Sequence, residues 1–204
     1  MPLEFREDNL AEGKIKEIAK GVRNGKILVY PTETAYGIGT NSMNEKGIEE
    51  IYKIKGRPDE KKLTVIVSSL NMALKYCYLN EKERKLCEEF MPGPLTILAQ
   101  KKPNVPDKLN DKFAFRITSH KTAREIVEDM GLPLIATSAN VSGRGSIYSL
   151  KRLDQRVKNK ADYIIDAGEL EKTPPSTIID LSSEDLRIIR QGPIKEKQIR
   201  KSLS

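Results

Sequence analysis

Short apolar runs that are typical of buried strands alternate along the whole sequence with segments of helical periodicity. The clearest strand-like runs are KILVY at 26–30, LTVIV at 63–67, LTILAQ at 95–100, FAFRIT at 113–118 and PLIATS at 133–138. Strands that are separated by helices usually form one sheet with the helices packed against it. The sequence therefore predicts an α/β fold with one large, mixed sheet, and we expect a single domain over residues 1–204.

Apolar residues at spacings of three and four mark the helices between these strands. They predict helices over 15–22 and 123–130, and Asn44 is expected to cap a helix that ends near Gly56. The other predicted elements are helices near 70–77, 81–90, 149–159 and the C-terminus, and strands at 162–166, 176–181 and 186–190. Helices and strands thus interleave from end to end, without an internal repeat or a linker.

Composition and motifs exclude several classes of protein. No run approaches the length of a transmembrane helix, and the N-terminus lacks a signal-peptide pattern, so we expect a cytoplasmic protein. Cys77 and Cys87 are too few for a disulfide scaffold or a zinc cluster, and we expect both to be inert packing residues. His120 is the only histidine, which excludes a multi-histidine metal site, and we expect it at the surface.

The sequence also lacks the common nucleotide-binding and metal-binding motifs. It contains no GxxxxGK[ST], no GxGxxG after a strand and no paired acidic motif. We therefore expect no metal site made by the protein, and any Mg²⁺ would arrive with a nucleotide, held by phosphates and water. The net charge of +7 indicates either a solvated lysine-rich surface or an anionic partner.

Two polar segments at predicted strand ends are candidate ligand sites, because ligands of α/β folds bind there. The first, PTETAYGIG at 31–39, offers the hydroxyls of Thr32, Thr34 and Tyr36 beside two glycines. The second, TSANVSG at 137–143, follows a strongly apolar strand and suits the binding of phosphate oxygens. An ordinary connecting loop is the alternative for the first segment, and a solvated turn for the second.

Cationic residues add three further candidates. Lys55 and Arg57 of the KGRP segment could converge on one anion, or simply be a basic helix end favoured by the helix dipole. Arg116, inside an apolar strand, requires a polar cavity or a partner unless the strand lies at an edge in water. Arg190 lies fourteen residues after Ser176 of the Pro175-Ser176-Thr177 segment. Both Arg190 and this segment lie beside a predicted strand.

Together these segments resemble the YrdC/Sua5 family, the L-threonylcarbamoyladenylate synthases. The resemblance is carried, over about residues 10–195, by PTETAYGIG (31–39), KGRP (55–58), PGPLTIL (92–98), FAFRI (113–117), ATSANVSG (136–143), PSTIIDL (175–181) and IIRQGPI (188–194). The sequence departs from the family pattern at 59–64, where Lys61-Lys62-Leu63 stands, at Met91, and at ITSH over 117–120. The resemblance implies a short, single-domain form without the C-terminal Sua5 domain.

The resemblance implies a YrdC-like, twisted, open mixed sheet with flanking helices around a concave, basic cavity. It implies a nucleotidyltransferase, acting in tRNA processing, that makes threonylcarbamoyl-AMP and pyrophosphate from L-threonine, bicarbonate and ATP, with Mg²⁺ carried by the ATP. A Kae1/TsaD-type transferase would then use the product to form N6-threonylcarbamoyladenosine at position 37 of tRNA. Direct RNA binding is a further expectation.

The resemblance also implies roles for individual residues. Lys55 and Arg57 are the expected catalytic residues and also contact the nucleotide. The expected L-threonine ligands are Thr32, Tyr36, Arg116 and Ser176. The remaining expected nucleotide ligands are Ser138, Asn140, Ser146 and Arg190. No residue is expected to bind a metal directly.

Two alternatives remain at this point. The first is a double-stranded RNA or tRNA-binding module without turnover, favoured by the six basic residues and one acidic residue over 141–160. The scarcity of aromatic residues, at 5%, and the absence of Trp disfavour it. The second is a carbamoyl-adenylate-forming domain of the hydrogenase-maturation type, which is found in longer chains with acylphosphatase and zinc-finger segments.

Overall fold

The computed structural model describes residues 1–56, 63–183 and 185–204. In chain order its strands are β1 (Leu3–Arg6), β2 (Leu28–Tyr30), β3 (Gly37–Gly39), β4 (Val65–Val67), β5 (Cys77–Tyr78), β6 (Leu95–Lys101), β7 (Phe113–Ile117), β8 (Leu134–Ile135), β9 (Thr137–Ser138), β10 (Tyr163–Asp166), β11 (Thr177–Asp180) and β12 (Arg187–Arg190). Its α-helices are α1 (Glu12–Arg23), α2 (Glu45–Lys55), α3 (Leu70–Ala73), α4 (Glu81–Phe90), α5 (Lys121–Met130), α6 (Gln155–Lys160) and α7 (Glu196–Leu203).

The strands form two mixed sheets. The first has the order β1-β10-β2-β3-β9, in which β10 is parallel to β1 and β2, and β3 is antiparallel to β2 and β9. The second has the order β12-β11-β6-β7-β4-β8, and β5 pairs with β6. The predicted α/β class and the twisted, open mixed sheets with flanking helices are confirmed, although the strands divide into two sheets rather than one.

The two sheets meet where the chain passes from β8 to β9. Ile135 pairs with β4 of the second sheet, yet its N–H donates to the Thr40 carbonyl oxygen just after β3 of the first sheet, over 2.9 Å. The hydroxyl of Tyr30 donates to the carbonyl oxygen of Ile135, also over 2.9 Å. The predicted strand over 133–138 is therefore two short strands, because its two halves pair with different sheets.

Helix ends follow the expected chemistry. The side chain of Asn44 accepts from Gly47 N at the start of α2, and Gly56 ends that helix with a φ of 54°. Gly131 ends α5 in the same left-handed region, with a φ of 65°. This region is strained for residues with a Cβ atom, so glycine is the residue that ends both helices at the lowest conformational cost.

The core lies between the sheets and the helices. Its largest fully buried side chains include Tyr30, Tyr36, Phe113 and Phe115. The apolar face of α1 packs against α5, and α4 packs against α7. No helix in the described part of the chain combines the length and the apolar character that a membrane span requires.

Several elements differ from the sequence-based expectations. The predicted helix at 70–77 stops at Ala73, because Cys77 and Tyr78 pair with the edge of β6. The basic helix expected over 149–159 is a 3₁₀ turn at Leu150–Arg152 followed by α6. Strand β1 was not predicted, since its parallel partner β10 lies far away in the sequence.

The single histidine also differs from expectation. The side chain of His120 is only 18% exposed, and its Nδ1 lies 3.7 Å from a carboxylate oxygen of Glu7. The N-terminal segment covers it, so the expected surface position is wrong. Both cysteines are buried and free, as expected, and burial raises the pKa of each thiol to about 12.

Candidate functional site

A polar cavity of about 210 Å³ opens beside the junction of the two sheets. The residues that line it come from the ends of strands in both sheets and from the loops that follow them. They are Thr32, Thr34, Ala35, Tyr36, Gly37, Thr64, Arg116, Ala136, Thr137, Ser138, Ser146, Pro175, Ser176, Ile178 and Arg190. Seven of the predicted site residues therefore reach one cavity, namely Thr32, Tyr36, Arg116, Ser138, Ser146, Ser176 and Arg190.

The loop between β2 and β3 forms one wall and is fixed by its own side chains. The hydroxyl of Thr32 donates to the Ala35 carbonyl oxygen over 2.7 Å and accepts from the backbone N–H groups of Thr34 and Ala35. Such a turn lets the loop bury polar groups without leaving them unbonded. Thr32 is thus buried at the cavity wall with its hydroxyl already used.

Tyr36 lines the cavity, but its hydroxyl points to the turn after β10. It donates to the Gly168 carbonyl oxygen over 2.8 Å and accepts from Ala167 N over 2.9 Å. Burial is the main cause that raises the pKa of this hydroxyl to about 12. In this structure Tyr36 therefore joins two loops, and the predicted contact with L-threonine remains a prediction.

Arg116 lies in the wall as a buried cation in the middle of the second sheet. Its side chain is 9% exposed, and Nη1 lies 3.4 Å from Oε1 of Glu33 and 3.5 Å from the hydroxyl of Thr34. Among the described residues, its Nε has no hydrogen-bond partner. A buried guanidinium in the wall of a polar cavity, with an N–H group that the described residues do not use, is suited to binding a carboxylate.

Arg190 and Ser176 form the opposite side. The Arg190 Nε donates to the Ser176 carbonyl oxygen over 2.9 Å, and Nη2 donates to the Ser176 hydroxyl over 3.0 Å. That hydroxyl also bonds with Thr96 over 2.9 Å. Burial, followed by the nearby charge of Arg116, lowers the pKa of Arg190 from its ordinary value. An anion between the two guanidinium groups would relieve their repulsion.

Lys55 and Asn140 lie behind the wall that Ser138 forms. Lys55 is 2% exposed, and its ammonium donates to the carbonyl oxygens of Ser138 and Asn140 over 2.6 and 2.9 Å. Asn140 Oδ1 accepts from the Ser138 hydroxyl over 2.5 Å, and its Nδ2 donates to the carbonyl oxygens of Arg144 and Gly145. These bonds fix the shape of the loop that leads from β9 towards Ser146.

Two of the sequence-based expectations concern residues that the structure does not describe. Arg57, the second expected catalytic residue, lies outside the described residues, and so does most of the 59–64 segment. No cluster of three or more potential metal-binding side chains occurs in residues 1–56, 63–183 and 185–204. Whether Mg²⁺ arrives with the nucleotide stays a prediction.

Sequence reasoning missed Glu33, which lies between Thr32 and Thr34. Its Oε2 accepts a hydrogen bond from the hydroxyl of Thr118, while Oε1 faces Arg116. The available signal was Arg116 itself, because a buried arginine requires a nearby countercharge. Thr64 and Thr96 were also missed, because both lie within predicted strands rather than in polar loops.

The chain belongs to the Sua5/YciO/YrdC family and has the fold of its solved members. The sequence model of that family, described as telomere recombination, matches residues 20–192. A protein of Methanocaldococcus jannaschii, provisionally named threonylcarbamoyl-AMP synthase, is 39% identical over 178 residues, which are 87% of this chain and 84% of that protein.

Two comparisons concern Pyrococcus abyssi. Its protein named threonylcarbamoyl-AMP synthase is 32% identical over 198 residues, which are 95% of this chain but 58% of that protein. The crystal structure of P. abyssi Sua5 in complex with L-threonine matches with a TM-score of 0.92 and 32% identity, over 100% of this chain and 61% of that one. This chain thus spans less than two thirds of the archaeal Sua5 protein.

Proposed function

We propose that this protein is a threonylcarbamoyl-AMP synthase, a nucleotidyltransferase that uses L-threonine, bicarbonate and ATP. The observation that carries the proposal is the polar cavity with two guanidinium groups, Arg116 and Arg190, in a fold shared with a threonine-bound Sua5. Residues 1–204 act as one domain, because both sheets contribute to the cavity. The activity named for the relatives is consistent with this chemistry.

The reaction brings two anions together and needs no protein nucleophile. The threonine amine forms a C–N bond to the carbon of bicarbonate, a C–O bond breaks, and water leaves to give an N-carboxylate. One oxygen of this carboxylate attacks the α-phosphorus of ATP, the bond to the β-phosphate oxygen breaks, and pyrophosphate leaves. Negative charge develops on phosphate oxygens in the transition state, so preorganised cations and hydrogen-bond donors supply the catalysis. ATP enters with its own Mg²⁺.

Different residues of the cavity bind the amino acid and the nucleotide. Arg116 binds the threonine carboxylate, with Thr32, Tyr36 and Ser176 around the amino acid. Arg190, Ser138 and Ser146 lie towards the nucleotide.

Lys55 and Asn140 act with this nucleotide side of the cavity, because their hydrogen bonds hold the loop that contains Ser138. Arg57 stabilises the charge that develops on the transferred phosphate. Lys55 assists in this when its ammonium exchanges a loop carbonyl for a phosphate oxygen.

The product serves the modification of tRNA in the cytoplasm. A mixed anhydride of AMP is a reactive acyl donor, so a second protein of the Kae1/TsaD type would transfer its threonylcarbamoyl group to adenosine 37. The basic residues that the cavity does not use are available for tRNA or for this partner. Neither an RNA-binding module without turnover nor a carbamoyl-adenylate-forming domain is favoured by the relatives, whose names specify the synthase.

A substrate panel tests the proposal. Pyrophosphate release is measured with ATP and bicarbonate in the presence of L-threonine, L-serine or carbamoyl phosphate, and each component is omitted in turn. Release that requires threonine, bicarbonate and ATP together is expected, and Arg57→Ala should abolish it without changing the circular dichroism spectrum. Release with carbamoyl phosphate alone would point to the hydrogenase-maturation chemistry. Salt-dependent RNA binding without turnover would instead identify a binding module.

A further inference from the structure

Glu33 and Arg116 form an ion pair at the wall of the cavity, and the cavity lining contains Arg116 but not Glu33. The two side chains are 14% and 9% exposed, so the pair is shielded from water. Glu33 thus contacts the arginine from a position outside the cavity lining. The inference drawn from this arrangement rests on the proposed function.

The ion pair with Glu33 involves only the Nη1 side of the Arg116 guanidinium group. Glu33 Oε1 and the hydroxyl of Thr34 both lie near Nη1, at 3.4 and 3.5 Å. The Nε–H group belongs to the other side of the planar fork, which it shares with Nη2. Nε is buried, and among the described residues it has no hydrogen-bond partner. Nε–H and one N–H of Nη2 are parallel, and such a pair matches the two oxygens of a carboxylate. Glu33 leaves this pair unused.

Glu33 is itself held by the strand that carries Arg116. Residues 116 and 118 lie two apart at the end of β7, so their side chains are on the same side of the strand. The hydroxyl of Thr118 donates to Oε2 of Glu33, which leaves Oε1 for Arg116. The same Thr118 hydroxyl accepts from the backbone N–H of His120 over 3.2 Å, which fixes its direction.

We propose that Glu33 is a positioning residue for L-threonine: held by Thr118, it fixes the Nη1 side of Arg116, so that the Nε and Nη2 donors stay available for the substrate carboxylate. Glu33 does not touch the substrate. Without Glu33, the buried guanidinium of Arg116 would adopt several rotamers. Threonine binding would then have to order this side chain, so the affinity for threonine would fall.

The test measures KM for L-threonine and KM for ATP separately in three variants and one control. Glu33→Gln keeps the size and an acceptor for Thr118 but removes the charge, and Thr118→Val removes the hydroxyl without changing any charge. Both should raise KM for L-threonine, Glu33→Gln by about tenfold or more, while KM for ATP stays within about twofold. Thr118→Ser, which keeps the hydroxyl, should restore the wild-type KM. Glu12→Gln, in an exposed ion pair with Lys16, is the matched control.

A double-variant cycle separates positioning from a general loss of structure. Because Thr118 acts through Glu33, Thr118→Val should add little to the KM for threonine in the Glu33→Gln background. Direct titration with L-threonine should show the same loss of affinity without turnover. Unchanged or tighter threonine binding by folded Glu33→Gln, or by Thr118→Val if that variant alone folds, would overturn the inference. A wild-type protein that neither binds threonine nor releases pyrophosphate would instead overturn the proposed function.

Discussion

The ammonium group of Lys55 is hydrogen-bonded to the carbonyl oxygen of Ser138, over 2.6 Å, so the end of α2 is fixed to the loop that lines the cavity. The same ammonium also donates to the carbonyl oxygen of Asn140, and Ser142 N donates to the carbonyl oxygen of Lys55 over 2.8 Å. The sequence places these residues more than 80 positions apart. Lys55 thus holds the loop in place in addition to its proposed action on phosphate.

Replacing Lys55 with Met should reduce both stability and activity. The change leaves buried carbonyl oxygens without their donor, so the free energy of unfolding should fall by about 1–3 kcal/mol. Urea unfolding measures the first effect, and pyrophosphate release, expected to fall at least about tenfold, measures the second. The control is Lys53→Met, an exposed position on the same helix. Wild-type stability in Lys55→Met would show that these hydrogen bonds are not important for the loop.

The close approach of β3 to β8 should make Gly39 intolerant of any side chain. A Cβ atom at Gly39 would lie 1.8 Å from the carbonyl oxygen of Ile135, which is the residue that joins the two sheets. Gly39→Ala should therefore unfold the protein or lower its thermal midpoint by more than about 10 °C. Gly13→Ala, in α1 and with nothing within 4 Å, should be neutral or stabilising. Equal midpoints for the two variants would contradict this packing.

The hydrogen bonds of Arg190 should make a lysine a poor substitute. Nε and Nη2 contact Ser176 at two points, and a single ammonium cannot reproduce this planar fork. Arg190→Lys should raise KM for ATP by about fivefold to fiftyfold, with a smaller effect on threonine. Arg187→Lys, on the same strand but outside the cavity lining, is the control. An unchanged KM for ATP would remove Arg190 from the nucleotide side of the cavity.

Asp180 should make stability fall at acid pH. Burial opposes its charged form, but hydrogen bonds from Lys112 and Ser182 outweigh burial and lower the pKa of this carboxyl. A lowered pKa in the folded state contributes stability above the unfolded value, near 3.9, and this contribution is lost as the pH falls through the folded value. The free energy of unfolding of Asp180→Asn should therefore lie about 1–3 kcal/mol below wild type near pH 7.

The same difference should shrink at lower pH, because the wild-type carboxyl then becomes neutral as well. Chemical unfolding at a series of pH values between about 7 and 3 measures it. Asp185→Asn, at an exposed position, should behave like wild type throughout. A difference between Asp180→Asn and wild type that does not depend on pH would exclude the ionised pair with Lys112.

Local signals predicted the helices better than the sheet. Asn44 and Gly56 define α2 because capping depends on residues close in sequence. Strand β1 and the pairing of Cys77 with Lys101 depend on distant partners, which no local pattern reveals. For the same reason the sequence did not indicate that residues 133–138 divide between two sheets.

The site was predicted as a set of residues but not as a set of contacts. The motifs and the family resemblance named seven residues that line the cavity. Most of them lie in polar loops at strand ends, which converge in this class of fold. They did not reveal that the hydroxyl of Tyr36 and the ammonium of Lys55 bond to the protein itself. They also did not identify Glu33, because the partner of a buried cation is chosen by the three-dimensional packing.

Incorporation of labelled bicarbonate into a nucleotide product tests the central claim most directly. The protein is incubated with ¹⁴C-bicarbonate, ATP and L-threonine, and the nucleotides are separated and identified by mass spectrometry. The account predicts a labelled threonylcarbamoyl-AMP that forms together with pyrophosphate and requires threonine. A protein that is folded and binds ATP, yet gives no labelled nucleotide, or gives one equally well without threonine, would contradict it.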